Sequence, residues 1–159
     1  MKLKLKLIIL LALCLSLTAC KYNAAKVLVK PEANFILEAK SDACFGTCPV
    51  YSLRINEKRE LSFKGGNFCA FQGDTVVKIG NDDYLKLKND LVTKGFFAMD
   101  SVYDNLDMMD APNYSILVSD PQDKFTTQKV RGRVDSPEGF RDLKREIGEL
   151  LVKYRLLKT

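Results

Sequence analysis

The chain has no histidine and no tryptophan among its 159 residues. Without imidazole there is no Ser-His-Asp or Cys-His nucleophile, no His-ligated zinc, and no side chain that ordinarily titrates near neutral pH as a general acid or base. Carboxylates, lysines, tyrosines and thiols remain, but none recurs at a spacing that names a reaction. Proline is scarce, five residues against 47% hydrophobic content, which argues for a packed core over disorder. Charge is only slightly one-sided at +5, and Lys2, Lys4 and Lys6 carry three of those units at the extreme N-terminus. The other charges are interspersed, as on an ordinary solvated surface, and give no basic patch for nucleic acid. Long apolar runs are also missing, save for the eleven uncharged residues from Leu7 to Leu17. A transmembrane helix needs about 20.

What is present at the N-terminus is ordered: three lysines, the apolar run, then Leu17-Thr18-Ala19-Cys20, with small residues leading to a cysteine. A secretory signal segment is built this way. The leader resembles that of bacterial lipoproteins. That resemblance implies a signal peptide over residues 1–19, diacylation of Cys20 and a lipidated tether over residues 20–34. Two acyl chains, each buried CH₂ contributing roughly 0.8 kcal/mol, suffice for stable anchoring, so the implied partner is a membrane surface held through lipid. Losing the leader lowers the charge to +2 and leaves 140 residues, the length of one domain, expected over 35–159. Lys21 stands where some inner-membrane lipoproteins carry Asp. The expected address is therefore the outer membrane facing the periplasm, or the outer face of the cell membrane in a one-membrane host.

Within the domain, Phe35-Leu37-Ala39, Tyr51-Leu53-Ile55 and Leu61-Phe63 alternate with polar residues and predict half-buried strands. Asn56 to Glu60 turns the second into the third, Gly65-Gly66 closes that stretch before Phe68 to Phe71, and Thr75 to Ile79 is a further strand. A helix follows, capped by Asn81 or Asp82 and ended by Gly95, with Tyr84, Leu87, Leu91 and Val92 on one face. Phe96 and Phe97 fold against the same core. Tyr114-Ile116-Val118 and Lys124 to Val130 form a second β-pair across Asp120-Pro121-Gln122-Asp123. In the last helix Ser136 is the N-cap, Pro137 takes the first helical position, and Phe140, Leu143, Ile147, Leu150, Leu151 and Tyr154 share a face. The order ββββ-α-ββ-α predicts an α+β domain: an antiparallel sheet of about five or six strands with two helices packed on one face.

The densest local signal is Ala43-Cys44-Phe45-Gly46-Thr47-Cys48-Pro49-Val50-Tyr51. Gly46 can adopt positive φ between the thiols, and Pro49 biases Cys48 toward an extended conformation entering the strand. In an oxidising compartment a structural disulfide between Cys44 and Cys48 is the expectation. Thiol-disulfide exchange is the sharper alternative, although the spacing departs from C-x-x-C and no βαβ pattern surrounds it. A metal site through Cys44, Cys48 and Cys69 lacks a fourth ligand, so no metal is expected, and Cys69 reads as a buried small apolar residue. Asp104, Asp107 and Asp110, with Asp100 and Asn105, form a solvated, helix-capping loop in preference to a calcium site. Phe63, Phe68, Phe71, Phe96 and Phe97 read as core in preference to a ligand groove.

At Cys44, Phe45, Gly46, Thr47, Cys48, Pro49 and Tyr51 the chain resembles an uncharacterised bacterial domain family, frequently found on lipoproteins, with the signature C-F-G-T-C-P-x-Y. Asp110-Ala111-Pro112 resembles that family's aspartate-x-proline element. The resemblance runs from Phe35 to Tyr154 and departs at Asn56 to Glu60, where the family has a short glycine-containing hairpin. Because the family's activity is unassigned, the resemblance implies fold and address but neither catalytic residues nor a cofactor. The functional expectation is a noncatalytic binding or scaffolding module of the cell envelope, acting on an unidentified envelope protein or ligand. The alternative is a thiol-disulfide-active or other histidine-independent envelope enzyme.

Overall fold

Period-two alternation gives each strand one apolar side, and the domain is built by laying those sides against two amphipathic helices. The structure, a computed structural model, describes residues 35–104, 110–121 and 127–159. Expectations that rest on the leader, Cys20, the tether, Asn105, Asp107 and the Gln122-Asp123 end of the polar turn lie outside the described residues. Chain contacts separate two units, Met1–Pro31 and Glu32–Thr159, and the described residues belong to the second.

In chain order the elements are β1 (Ile36–Ser41), β2 (Tyr51–Ile55), β3 (Glu60–Gly65), β4 (Gly73–Lys78), α1 (Asn81–Thr93), a 3₁₀ turn (Phe96–Ala98), β5 (Val102–Tyr103), β6 (Tyr114–Ser119), β7 (Thr127–Gly132) and α2 (Glu138–Lys153). The sheet order is β4-β3-β2-β1-β6-β7-β5, antiparallel throughout except where β5 runs parallel to β7. The domain is therefore α+β as expected, but with a seven-stranded, antiparallel-dominated mixed sheet. The strand missed from the sequence is β5, whose two residues are too few to show alternation.

Register puts every inward residue on the same face: Leu37 lies opposite Ile55 and Val118, and Ala39 opposite Leu53 and Ile116. Tyr84, Leu87 and Leu91 of α1 and Phe140, Leu143, Ile147 and Leu151 of α2 join these in one buried cluster. Lys40, Ser52, Arg54, Ser62, Lys64 and Lys129 leave the opposite face of the sheet open to water.

The helix starts differ from the expected ones. Gly80 holds the N-cap position of α1 without a side-chain cap; Asn81 instead accepts a hydrogen bond from Arg59 at 3.3 Å. Pro137, not Ser136, caps α2: its extended backbone lets its carbonyl accept from the N–H groups of Phe140 and Arg141. The Ser136 hydroxyl turns back to donate to the Arg133 carbonyl. Gly95 ends α1 at φ 70° as its lack of a Cβ permits. Of the aromatics expected in the core, Phe63 and Phe96 are buried and Phe97 packs at its margin, whereas Phe68 and Phe71 are exposed. They turn outward because the N–H groups of Ala70 and Phe71 are taken by the Leu156 carbonyl, which fixes that loop by its backbone. Gly65 makes this possible, since a Cβ there would stand 2.0 Å from the Phe71 carbonyl oxygen.

The cysteine-loop end of the sheet as candidate functional site

Three strand ends converge where the cysteine motif leaves the sheet. Ser41 closes β1 opposite both Tyr51, which opens β2, and Tyr114, which opens β6. The connecting loop is held on both flanks. On one side the Asp42 N–H donates to the Asn113 carbonyl at 3.0 Å, which sets the cysteine segment beside Asp110-Ala111-Pro112. On the other, Val50 donates to Asn67 at 3.0 Å and accepts from Gly66 at 2.8 Å. Sequence elements far apart along the chain thus meet at one end of the sheet.

Cys44 and Cys48 form a disulfide with a Cα separation of 5.8 Å. Inside this small ring Phe45 is 89% exposed, with Gly46 and Thr47 also at the surface. The crosslink denies the loop the freedom to collapse and hide the ring. Cys69 lies beneath as a free, buried thiol that donates to the Val50 carbonyl at 3.3 Å. Burial raises its pKa, which disfavours the thiolate that exchange or metal binding needs.

Under the loop is an aromatic floor. Tyr51 meets Phe63 at 5.7 Å and Tyr114 edge-on at 6.4 Å, and Tyr114 meets Phe140 at 6.1 Å, with the Lys144 ammonium 5.5 Å from the Tyr114 ring centre. Burial pushes the Tyr51 phenol up to about 12 and the Tyr114 phenol well above its usual value, so both stay neutral at physiological pH. The Tyr114 hydroxyl has no hydrogen bond of good geometry among the described residues. These groups support a surface; they are not poised to move protons.

Of the acidic cluster, Asp110 is exposed and Asp104 is ion-paired to Arg133 at 2.9 Å and to Arg131 at 4.0 Å. Arg133 also donates to the Ala111 carbonyl at 3.3 Å, so the aspartate-proline turn is braced by an arginine. Among the described residues no three Cys, Asp or Glu side chains gather to hold a metal ion, and no helix is long and apolar enough to cross a membrane.

One pairing escaped the sequence. Asp90 of α1 and Glu146 of α2 line one cleft of about 160 Å³ between the helices and share lysine partners. Lys86 stands 2.6 Å from Asp90 and 3.3 Å from Glu146, and Lys94 stands 2.9 Å from Glu146. Burial pushes the Asp90 carboxyl up, but polar contacts with Glu146 and with the Lys86 ammonium outweigh it and hold the pKa below its usual value. Two carboxylates could share a proton for catalysis, yet here each is committed to lysines, which makes the cluster a clasp between helices. The i,i+4 spacing of Lys86, Asp90 and Lys94 was a readable signal of pairing along α1; nothing in the spacing linked it to Glu146. A second, open depression of about 520 Å³ lies on the outer face of the sheet around Arg54, Lys64 and Asp74.

Sheet, helices and pinned loop define a two-layer α+β domain whose outer sheet face is uncovered among the described residues. Residues 36–151 match the family described as a domain of unknown function (DUF6438), and the chain belongs to that family. No curated protein matches the chain.

Proposed function

We propose that the protein is a lipid-anchored, noncatalytic binding module of the cell envelope that engages a partner protein through the Cys44 to Cys48 loop. The observation that carries this reading is Phe45, an aromatic ring left 89% exposed on a disulfide-closed loop. A ring in water gains on burial in a partner, and a loop already fixed loses little conformational freedom on binding. Phe68 and Phe71, 44% and 38% exposed, are further exposed rings, carried on the segment whose Gly66 and Asn67 bond to Val50. Such a grouping suits partner recognition. Anchoring is supported by the leader and by Leu17-Thr18-Ala19-Cys20.

Thiol exchange is the weaker reading. Neither cysteine of the bridge lies at the start of a helix, since α1 begins at Asn81 and α2 at Glu138, so no helix terminus favours a thiolate. The test is photo-crosslinking in intact envelopes from a reactive residue at position 45 of the full-length chain, with position 129 on the bare sheet face as control. One discrete adduct from position 45, absent from position 129, is expected; indistinguishable patterns from the two would overturn the proposal.

A further inference from the structure

We propose that two copies of this chain pair through the free edge of β4, antiparallel, about a two-fold axis at Val76. Among the described residues β4 ends the sheet, with β3 on one side only. Its backbone polarity follows from one bond: the Ile79 N–H donates to the Arg59 carbonyl at 3.0 Å, in the same register that sets Leu61 opposite Val77 and Phe63 opposite Thr75. In an antiparallel ladder hydrogen-bonded pairs alternate along the strand. Thr75 and Val77 therefore spend their backbone groups on β3, and Asp74, Val76 and Lys78 aim theirs outward. No proline interrupts Gly73–Lys78, and Val76 is 63% exposed.

The side chains choose among the possible occupants and registers. With Val76 opposite Val76 of a second copy, Asp74 falls opposite Lys78 at both ends, giving two opposite-charge pairs around a central apolar one. An axis at residue 74 or 78 sets like charges face to face, and an axis at 75 or 77 sets Asp74 or Lys78 against Val76. In the favoured register the three outward-facing residues of each copy meet their counterparts as hydrogen-bonded pairs, and the contact is self-complementary, as a two-fold interface requires. The Lys78 ammonium, which donates to the Lys58 carbonyl on the exposed surface, is within the same strand end and free of deep packing. On the core side Val77 meets Thr75 of the second copy and continues the apolar layer.

A contact six residues long is small beside a standard interface of about 1,600 Å², so the test traps it covalently. Opposed residues of a hydrogen-bonded pair have Cα atoms about 5.5 Å apart, within the disulfide range of about 4.4–6.8 Å. Mild oxidation of the concentrated full-length Val76→Cys protein should give a covalent dimer whose bridged peptide joins position 76 to itself, while the wild type stays uncrosslinked. Adding Asp74→Lys should lower the yield several-fold, and adding Lys78→Asp to that variant should restore it. A retained Cys44 to Cys48 bridge and an unchanged melting temperature show that each variant is folded. A folded Val76→Cys protein that stays monomeric, an adduct with a different protein at position 76, or no rescue by the charge swap overturns the proposal.

Discussion

Phe45 is the residue at which the chain departs most from thrift in exposed apolar surface, and the two cysteines beside it explain how it is kept there. A loop of five residues closed by a disulfide loses chain entropy in the unfolded state worth about 2 kcal/mol in the entropic account. Because the bridge also adjoins Val50, whose backbone binds both Asn67 and Gly66, its loss should loosen the strand entry as well as the loop. The Cys44→Ser/Cys48→Ser double variant is expected to unfold with about 2 kcal/mol less stability or slightly less than that, measured by denaturant titration, with Cys69 still protected from alkylation in the native state. Reactive Cys69 in the folded variant would mean that the bridge holds the core as well as the loop. The motif residues were legible because local chemistry alone makes them unusual: two cysteines around a glycine, then a proline. The exposure of Phe68 and Phe71 was not legible, since the loop that carries them is held by Leu156, from the far end of the chain, through the N–H groups of Ala70 and Phe71.

Among the elements, α2 was the most legible because its core contact repeats at helical spacing: of the six residues expected on its core face, Phe140, Leu143, Ile147 and Leu151 are buried, while Leu150 and Tyr154 are only partly so. Its cap was misplaced by one residue, as Ser136 and Pro137 both suit a helix start and only backbone geometry separates them. Contacts between helices were illegible for a different reason: charged side chains on separate helices carry no pattern that pairs them. Asp83 of α1 shows the consequence. It binds the Lys153 ammonium at 2.7 Å and accepts from the Tyr154 hydroxyl at 2.8 Å. Burial pushes its carboxyl pKa up, but those hydrogen bonds outweigh burial and leave it below the usual carboxylate value. A group with a lowered folded pKa stabilises the fold above its unfolded pKa, about 3.9 for Asp, and that stability is lost as pH falls through the folded value. Melting temperature should therefore decline below about pH 4. Asp83→Asn should melt earlier than the wild type at neutral pH and converge on it in acid; parallel curves would show that the clasp carries no pH-dependent stability.

At the scale of the whole molecule, β1 is central to the sheet, pairing with β2 on one side and β6 on the other. The strands of the β1 to β4 meander were readable from their own alternation and from the glycine, proline and polar breaks between them, whereas the insertion of β7 between β6 and β5 depends on a return that no local signal announces. The central strand is also the first of the described residues, so any pull on the chain entering at Phe35 would act on two ladders at once. The proposed attachment to a membrane rests on Cys20. If its thiol carries two acyl chains, the wild type should partition with the detergent-soluble envelope fraction, and its N-terminal peptide should begin at Cys20 with the mass of a diacylglyceryl group. Cys20→Ser should move the protein out of that fraction while leaving the melting temperature of the domain unchanged, because the substitution precedes the residues that form the sheet and helices. An unmodified Cys20 in the wild type, or a Cys20→Ser protein that stays with the envelope, would refute the anchor and leave the Phe45 loop as a binding surface of a protein held there by some other contact.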